Sequence, residues 1–203
     1  MRRRPVAVLD TNVLFPFQLR NLLLHLAAED VYVPLWSREI LGELARVLGR
    51  DAKLTEPQRV HLIGQMERYF PDALGSAPGD AADGFPLPDE DDRHVIALAA
   101  HYEADVIVTA NLKHFPAPVL ERLGLEARHP DEFCLDLAEL EEPSVLRAAE
   151  THRLSLSRQP LTPEEYLVSL ATHGGVARTA EWLKTSGFLS TRVRPRRPER
   201  KPR

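Results

Sequence analysis

Three carboxylates in this sequence stand beside apolar residues: Asp10, Glu43 and Asp92. Asp10 directly follows the apolar run Val6-Ala7-Val8-Leu9. It either caps the next helix or starts a turn, or it faces a cleft with its charge at the rim of a dry core. Glu43 follows Ile40 and Leu41 and precedes Leu44, Val47 and Leu48, an apolar set at helical spacing. At ~100° per residue it lies roughly 40° past Val47, at the edge of the buried stripe, with Glu39 further toward solvent. There it either reaches out to water or is paired or bound to a metal, because a free buried charge is costly. Asp92 closes the run Asp89-Glu90-Asp91-Asp92. A helix N-terminus offsets an acid by only a few tenths of a kcal/mol, whereas one like-charge pair at ~4 Å costs about 4 kcal/mol at an effective dielectric near 20. Asp92 also shares a helical face with Val95, Ile96 and Ala99, so it points toward the core. A divalent cation is the simplest compensation. Carboxylates without a Cys/His set make an oxygen site, suited to Mg²⁺ or Mn²⁺ and not to zinc. His94, His101 and His114 are scattered along the chain and read as surface or packing residues.

The elements that must position these groups follow from periodicity. Val6–Leu9, Val31–Pro34 and Asp105–Val108 read as short buried strands, with a weaker one at Leu125–Arg128. Between them lie helical stripes over Pro16–Glu29, from Ser37 as N-cap to Gly49, from Thr55-Glu56-Pro57 to Pro71, and from Asp89 onward. Residues 71–88, rich in Pro, Gly, Ala and Asp, read as a long connecting loop. Short strands alternating with longer helices predict a parallel sheet covered on both faces. Val106-Ile107-Val108-Thr109 ends on polar groups as Leu9-Asp10-Thr11-Asn12 does, so two strands deliver polar side chains at one edge of the sheet. A helix is predicted from Pro130 to about Leu140. Beyond Glu141 strand signals vanish, and Pro143–Ser157, Pro163–Thr172 and Thr179–Leu189 read as helices.

Composition narrows the class. Hydrophobic residues are 43% and charged residues 28% of the 203, as in an ordinary globular protein. The single cysteine, Cys134, excludes an internal disulfide framework. No apolar run approaches the roughly 20 residues that span a bilayer. Met-Arg-Arg-Arg-Pro is followed by only four apolar residues, too few for a signal peptide, so a cytoplasmic location is expected. The net charge of −4 hides an asymmetry: Arg192–Arg203 holds seven bases and one acid, which leaves −10 on residues 1–191. An acidic body suits cation binding better than passive nucleic-acid binding. The Pro-rich basic tail has almost nothing apolar to bury and is expected to be disordered, with at most a counterion-release contribution to RNA affinity.

In order and spacing, Val8-Leu9-Asp10-Thr11-Asn12, Ser37 through Glu43-Leu44, Asp92-Arg93-His94 into Ala97-Leu98-Ala99, and Val106-Ile107-Val108-Thr109 resemble the PIN-domain family over roughly residues 5 to 138. They are most similar to the toxin ribonucleases of the VapC type. Asn111-Leu112-Lys113-His114-Phe115-Pro116 resembles the branch with a C-terminal helical extension. The resemblance implies an α/β fold in three α/β/α layers around a central parallel sheet of about four or five strands. It implies a nuclease domain over residues 1–140, a helical extension over 141–191 and the tail over 192–203. It further implies a Mg²⁺- or Mn²⁺-dependent endoribonuclease leaving 5′-phosphate and 3′-hydroxyl ends. The acidic metal site would be Asp10, Glu43 and Asp92, with Thr11 or Asn12 orienting Asp10 or contacting a phosphate. Many members carry a fourth acid where this chain has Thr109-Ala110-Asn111. Asn111 ligates only through its carbonyl oxygen or water, so a second metal would need Asp89 or Asp91. Arg93, Lys113 and His114 either hold the RNA backbone or are solvated surface charge. A cognate antitoxin, and homodimerisation, are implied partners. The alternative is a catalytically impaired domain acting as a protein- or RNA-binding module, which Asn111 motivates. A phosphatase with a covalent aspartyl phosphate is a third reading, disfavoured because such enzymes usually have a second Asp two residues after the first and position 12 is Asn.

Overall fold

The computed structural model describes residues 3–78, 87–156 and 161–188. Five parallel strands form one sheet in the order β3-β2-β1-β4-β5. They are β1 (Val6–Leu9), β2 (Val33–Ser37), β3 (Leu74–Gly75), β4 (Val106–Val108) and β5 (Ala127–Arg128). The chain moves outward from β1 to β2 and β3, then returns past β1 to β4 and β5. Right-handed crossovers made in opposite directions put their helices on opposite faces of the sheet. The result is a three-layer α/β/α fold. β1 lies between β2 and β4, and the topological switch falls at its carboxyl end.

β1 and β4 are short, apolar and buried on both faces, as a central parallel strand must be. After β1 come α1 (Thr11–Leu14) and α2 (Phe17–Ala28), so the single helix expected over Pro16–Glu29 has a separate first turn before it. The second strand sits two residues later than its apolar run suggests, ending at Ser37. The Ser37 hydroxyl accepts the Ile40 N–H at 3.2 Å and caps α3 (Arg38–Arg50). Gly49, expected to close α3, lies inside it. A Cβ there would stand 2.5 Å from the guanidinium of Arg59, which α4 (Glu56–Tyr69) lays against this turn. Of the segment expected to be a loop, 71–88, the first five residues form a 3₁₀ turn, Pro71–Ala73, and the edge strand β3, while residues 79–86 lie outside the described residues. That strand pairs Trp36 with Leu74 and Ser37 with Gly75. Two residues are too few to carry a periodic signal.

The acidic run forms a 3₁₀ turn, Glu90–Asp92, before α5 (Arg93–His101) packs on β1, β2 and β4. After β4 comes a 3₁₀ turn at Leu112–His114, then α6 (Ala117–Leu120) and β5. The two helices predicted at Pro130–Leu140 and Pro143–Ser157 are both present, joined end to end as α7 (Pro130–Ser155), with Ser157 outside the described residues. It is kinked at Glu141, two residues before Pro143, where φ is −148° and ψ 58°. Next come α8 (Pro163–His173) and α9 (Ala177–Thr185). Leu189, where the last helix was expected to end, lies outside the described residues, as does the tail at 192–203. α7 and α8 pack on α2, and one buried apolar cluster runs from the sheet through α2 into Val145, Ala148, Tyr166 and Leu183. Among the described residues no helix is long and apolar enough to cross a membrane.

Candidate metal centre

Asp10 takes the N-cap position of α1 but does not cap it with its side chain. Its carboxylate turns into the crevice between the ends of β1 and β4, where it is 5% exposed. Oδ2 accepts the Thr109 hydroxyl at 2.7 Å and the Asn12 side-chain amide. The Thr109 oxygen in turn accepts Asn12 Nδ2 at 2.9 Å and the Asn111 N–H at 3.0 Å, and the Ala110 N–H donates to Asn12 Oδ1 at 2.8 Å. Asn12 and Thr109 therefore stitch the two strand ends together around the carboxylate. Burial pushes the Asp10 pKa above the usual carboxylate range and the charges of Asp92 and Glu43 push the same way, while the Thr109 hydrogen bond holds it down.

Glu43 approaches from α3. Thr11 donates its hydroxyl to Glu43 Oε2 at 2.7 Å, so Thr11 orients Glu43 while Asn12 orients Asp10. His94, on the first turn of α5, brings Nε2 to 3.4 Å from Glu43 Oε1. Asp92 is the N-cap residue of α5 and carries its charge close enough for Asp10 to feel it. The third partner at this end is His114, whose Nδ1 is 2.7 Å from Asp92 Oδ2 and 3.5 Å from Asp89 Oδ2.

The charges of Glu43 and Asp92 thus both bear on Asp10 at the switch point. Among the described residues, the ligand atoms that all approach one another within 4.8 Å are those of Asp89, Asp92 and His114; the three core acids do not close to that separation as a set. Asp91 is exposed, and Asn111 is half-buried with its backbone tied to Thr109. Arg93 folds onto Glu90, Nε to Oε2 at 2.9 Å. Lys113 is exposed and, among the described residues, makes no ion pair. His94 and His114 are not the scattered surface residues that the sequence suggests, since each faces a carboxylate of the cluster. Sequence reasoning also passed over Thr109 as a site residue. Its one signal was its place directly after an apolar strand. A cleft of about 350 Å³ opens beside the cluster, lined by Ser37, Glu39, Glu90, Asp91, Arg93 and His94. Carboxylates with one imidazole nitrogen, held rigidly and partly shielded from water, fit a small divalent cation.

Known proteins bear on this arrangement. A family model described as PIN domain matches residues 6–113, and one described as VapC50 C-terminal domain matches residues 130–185. A protein from Mycobacterium tuberculosis named "Putative ribonuclease VapC50" is 53% identical over 51 residues. The match covers 25% of this chain and 30% of that protein, so it spans less than a third of the relative. No solved structure matches the chain significantly.

Proposed function

Because the chain belongs to the PIN domain family, we propose that it is a metal-dependent endoribonuclease that hydrolyses RNA phosphodiester bonds. In this reading it is the toxin of a type II toxin–antitoxin pair. The observation that carries the proposal is a buried carboxylate, Asp10, held at the sheet's switch point and feeling the charges of Glu43 and Asp92. Three acids gathered there repel one another unless a cation joins them. Asp10, Glu43 and Asp92 would hold Mg²⁺ or Mn²⁺. When bound, the cation neutralises charge building on the phosphoryl oxygens and lowers the pKa of water.

The protein's own groups do the positioning. Asn12 and Thr109 both engage Asp10 Oδ2, which fixes the carboxylate plane. Thr11 fixes Glu43 from the adjacent position in the chain. Lys113, exposed on the turn after β4, is placed to take an RNA phosphate next to the acids, where an acidic surface otherwise repels the backbone. Arg93 reaches the same role only by leaving Glu90. The proposed organisation is a nuclease domain over 1–140 and a helical extension over 141–191, in a cytoplasmic protein with an antitoxin partner and a homodimeric state. The VapC50 name of the similar protein supports the RNA substrate class.

The test is cleavage of single-stranded RNA by the purified full chain. Cleavage with Mg²⁺ or Mn²⁺ that disappears in EDTA and in Asp10→Asn is the expected result. Equal cleavage in EDTA overturns the metal-dependent reading, and absence of Mn²⁺ binding in calorimetric titration favours the binding module that Asn111 suggests. Light scattering of the purified chain decides between monomer and dimer.

A further inference from the structure

Resting on the nuclease reading above, we infer that His114 supplies a nitrogen ligand, beside Asp89 and Asp92, to the cation at this centre, which tunes the centre to Mn²⁺ over Mg²⁺. Ligands about 2.1 Å from one cation stand roughly 3 Å apart when adjacent and no more than about 4.2 Å apart when opposite. His114 Nδ1 is 2.7 Å from Asp92 Oδ2 and 3.5 Å from Asp89 Oδ2, and all three ligand atoms lie within 4.8 Å of one another. Shifts of a few tenths of an ångström would bring the trio onto one ion.

The trio is also held in place. Asp89 accepts the Asp91 N–H at 3.1 Å, which anchors one oxygen of its carboxylate at the start of the 3₁₀ turn that carries Asp92. His114 closes the turn Leu112–His114, its N–H bonded to the Asn111 carbonyl at 3.0 Å. The next residue, Phe115, is 3% exposed and plugs into the core, which anchors the backbone of the turn that carries His114. Asn111, at the end of β4, brings no charge to the site. Three residues further on, the same turn delivers a different donor, the imidazole.

That change of donor has a chemical consequence. Mg²⁺ demands near-ideal oxygen octahedra and gives up its waters reluctantly, whereas imidazole nitrogen suits the softer first-row transition ions. Exchanging one anionic oxygen for one neutral nitrogen therefore costs Mg²⁺ more than Mn²⁺. A hydrogen bond between His114 and Asp92 with no role in metal binding is the competing account, and it places no nitrogen on the ion.

Pulsed electron paramagnetic resonance of Mn²⁺ bound to the full chain separates the two. The expected result is nitrogen modulation of the Mn²⁺ echo that changes when the protein carries ¹⁵N-labelled histidine, is lost in His114→Asn and persists in His101→Asn, a change at an exposed histidine. Calorimetric titration of the same proteins is expected to show His114→Asn weakening Mn²⁺ roughly tenfold or more and Mg²⁺ less than threefold, with His114→Asp recovering Mg²⁺ binding. If His114→Asn does not fold, the isotope effect is read in His94→Asn, where its persistence supports His114 and its loss overturns the assignment. Mn²⁺ bound without histidine nitrogen coupling, or coupling unchanged in His114→Asn, overturns the nitrogen ligand and leaves the nuclease reading standing. A chain that binds neither ion and cleaves no RNA overturns both.

Discussion

His152 is fully buried where α7 meets α2 and α8, and its protonation ties the stability of this protein to pH. Nδ1 lies 2.9 Å from the Tyr166 hydroxyl, while Nε2 is buried without a hydrogen-bond partner. The His25 ring, its centroid 5.4 Å away, comes from α2. The imidazolium would carry N–H on both nitrogens, and the one at Nε2 would have no acceptor. Burial first, and the neighbouring His25 second, push the His152 pKa down to about 3. The unfolded chain takes up this proton near its ordinary pKa of about 6.5, well before the folded one does. The contribution to stability is therefore intact above pH 6.5 and is lost as the pH falls from there toward 3. At pH 5 the loss is about 2 kcal/mol, from a limiting slope of about 1.4 kcal/mol per pH unit. With an m-value of about 2 kcal/mol/M, that is a drop of about 1 M in the urea midpoint. Urea titrations of the unsubstituted chain and of His152→Gln at pH 7 and pH 5 isolate the effect, because the carboxylates titrate in both. The unsubstituted chain should lose about 2 kcal/mol more than the variant. Parallel losses would refute the assignment of a neutral buried imidazole.

Three further outcomes follow from single contacts. Thr109→Val removes the hydroxyl donated to Asp10 and the acceptor used by Asn12 and the Asn111 N–H, so it should cost about 1–3 kcal/mol in thermal or urea unfolding. Without that hydrogen bond the Asp10 pKa rises further, and the acid limb of the pH–cleavage profile should move to higher pH. Gly75→Ala sets a methyl 2.8–2.9 Å from the Tyr102 ring and should destabilise by about 1–3 kcal/mol, a loss that Tyr102→Ala in the same chain should reduce. Asp131→Ala deletes the buried carboxylate that accepts the Arg178 and Thr179 N–H groups at 2.9 and 2.7 Å and the Thr179 hydroxyl at 2.6 Å. It should cost about 2–4 kcal/mol and expose α9 to limited proteolysis before the sheet.

Much of the scaffold is legible in local pattern. A four-residue apolar run suffices to mark β1, and the residue following it can only lie at the strand's carboxyl end, which is why Asp10 stands out without coordinates. Ser37 reads as a cap because a hydroxyl before an apolar helical stripe has a free N–H to accept, and it accepts that of Ile40. Glu43 is drawn to the edge of the core by the 3.6-residue period alone. What local pattern misses is either too short or too far apart. β3 has only two residues, and its pairing comes from the neighbouring strand. Gly49 looks like a stop because a helical glycine resembles a terminator until Arg59 is seen packed against it.

The sequence by itself determined which residues are carboxylates at element ends and which faces are apolar, since both depend on neighbours within a turn of helix or a length of strand. Only the tertiary structure decided that β1 lies between β2 and β4, with a crevice at its carboxyl end. The same packing brings His114 to Asp92 across 22 residues and joins Thr109 to Asp10 across 99. Those contacts depend on strand order and on the packing of α5 over the sheet, and the physical reason is range. Periodicity records how a side chain is oriented about its own backbone, while proximity between distant segments is set by which buried faces exclude water together.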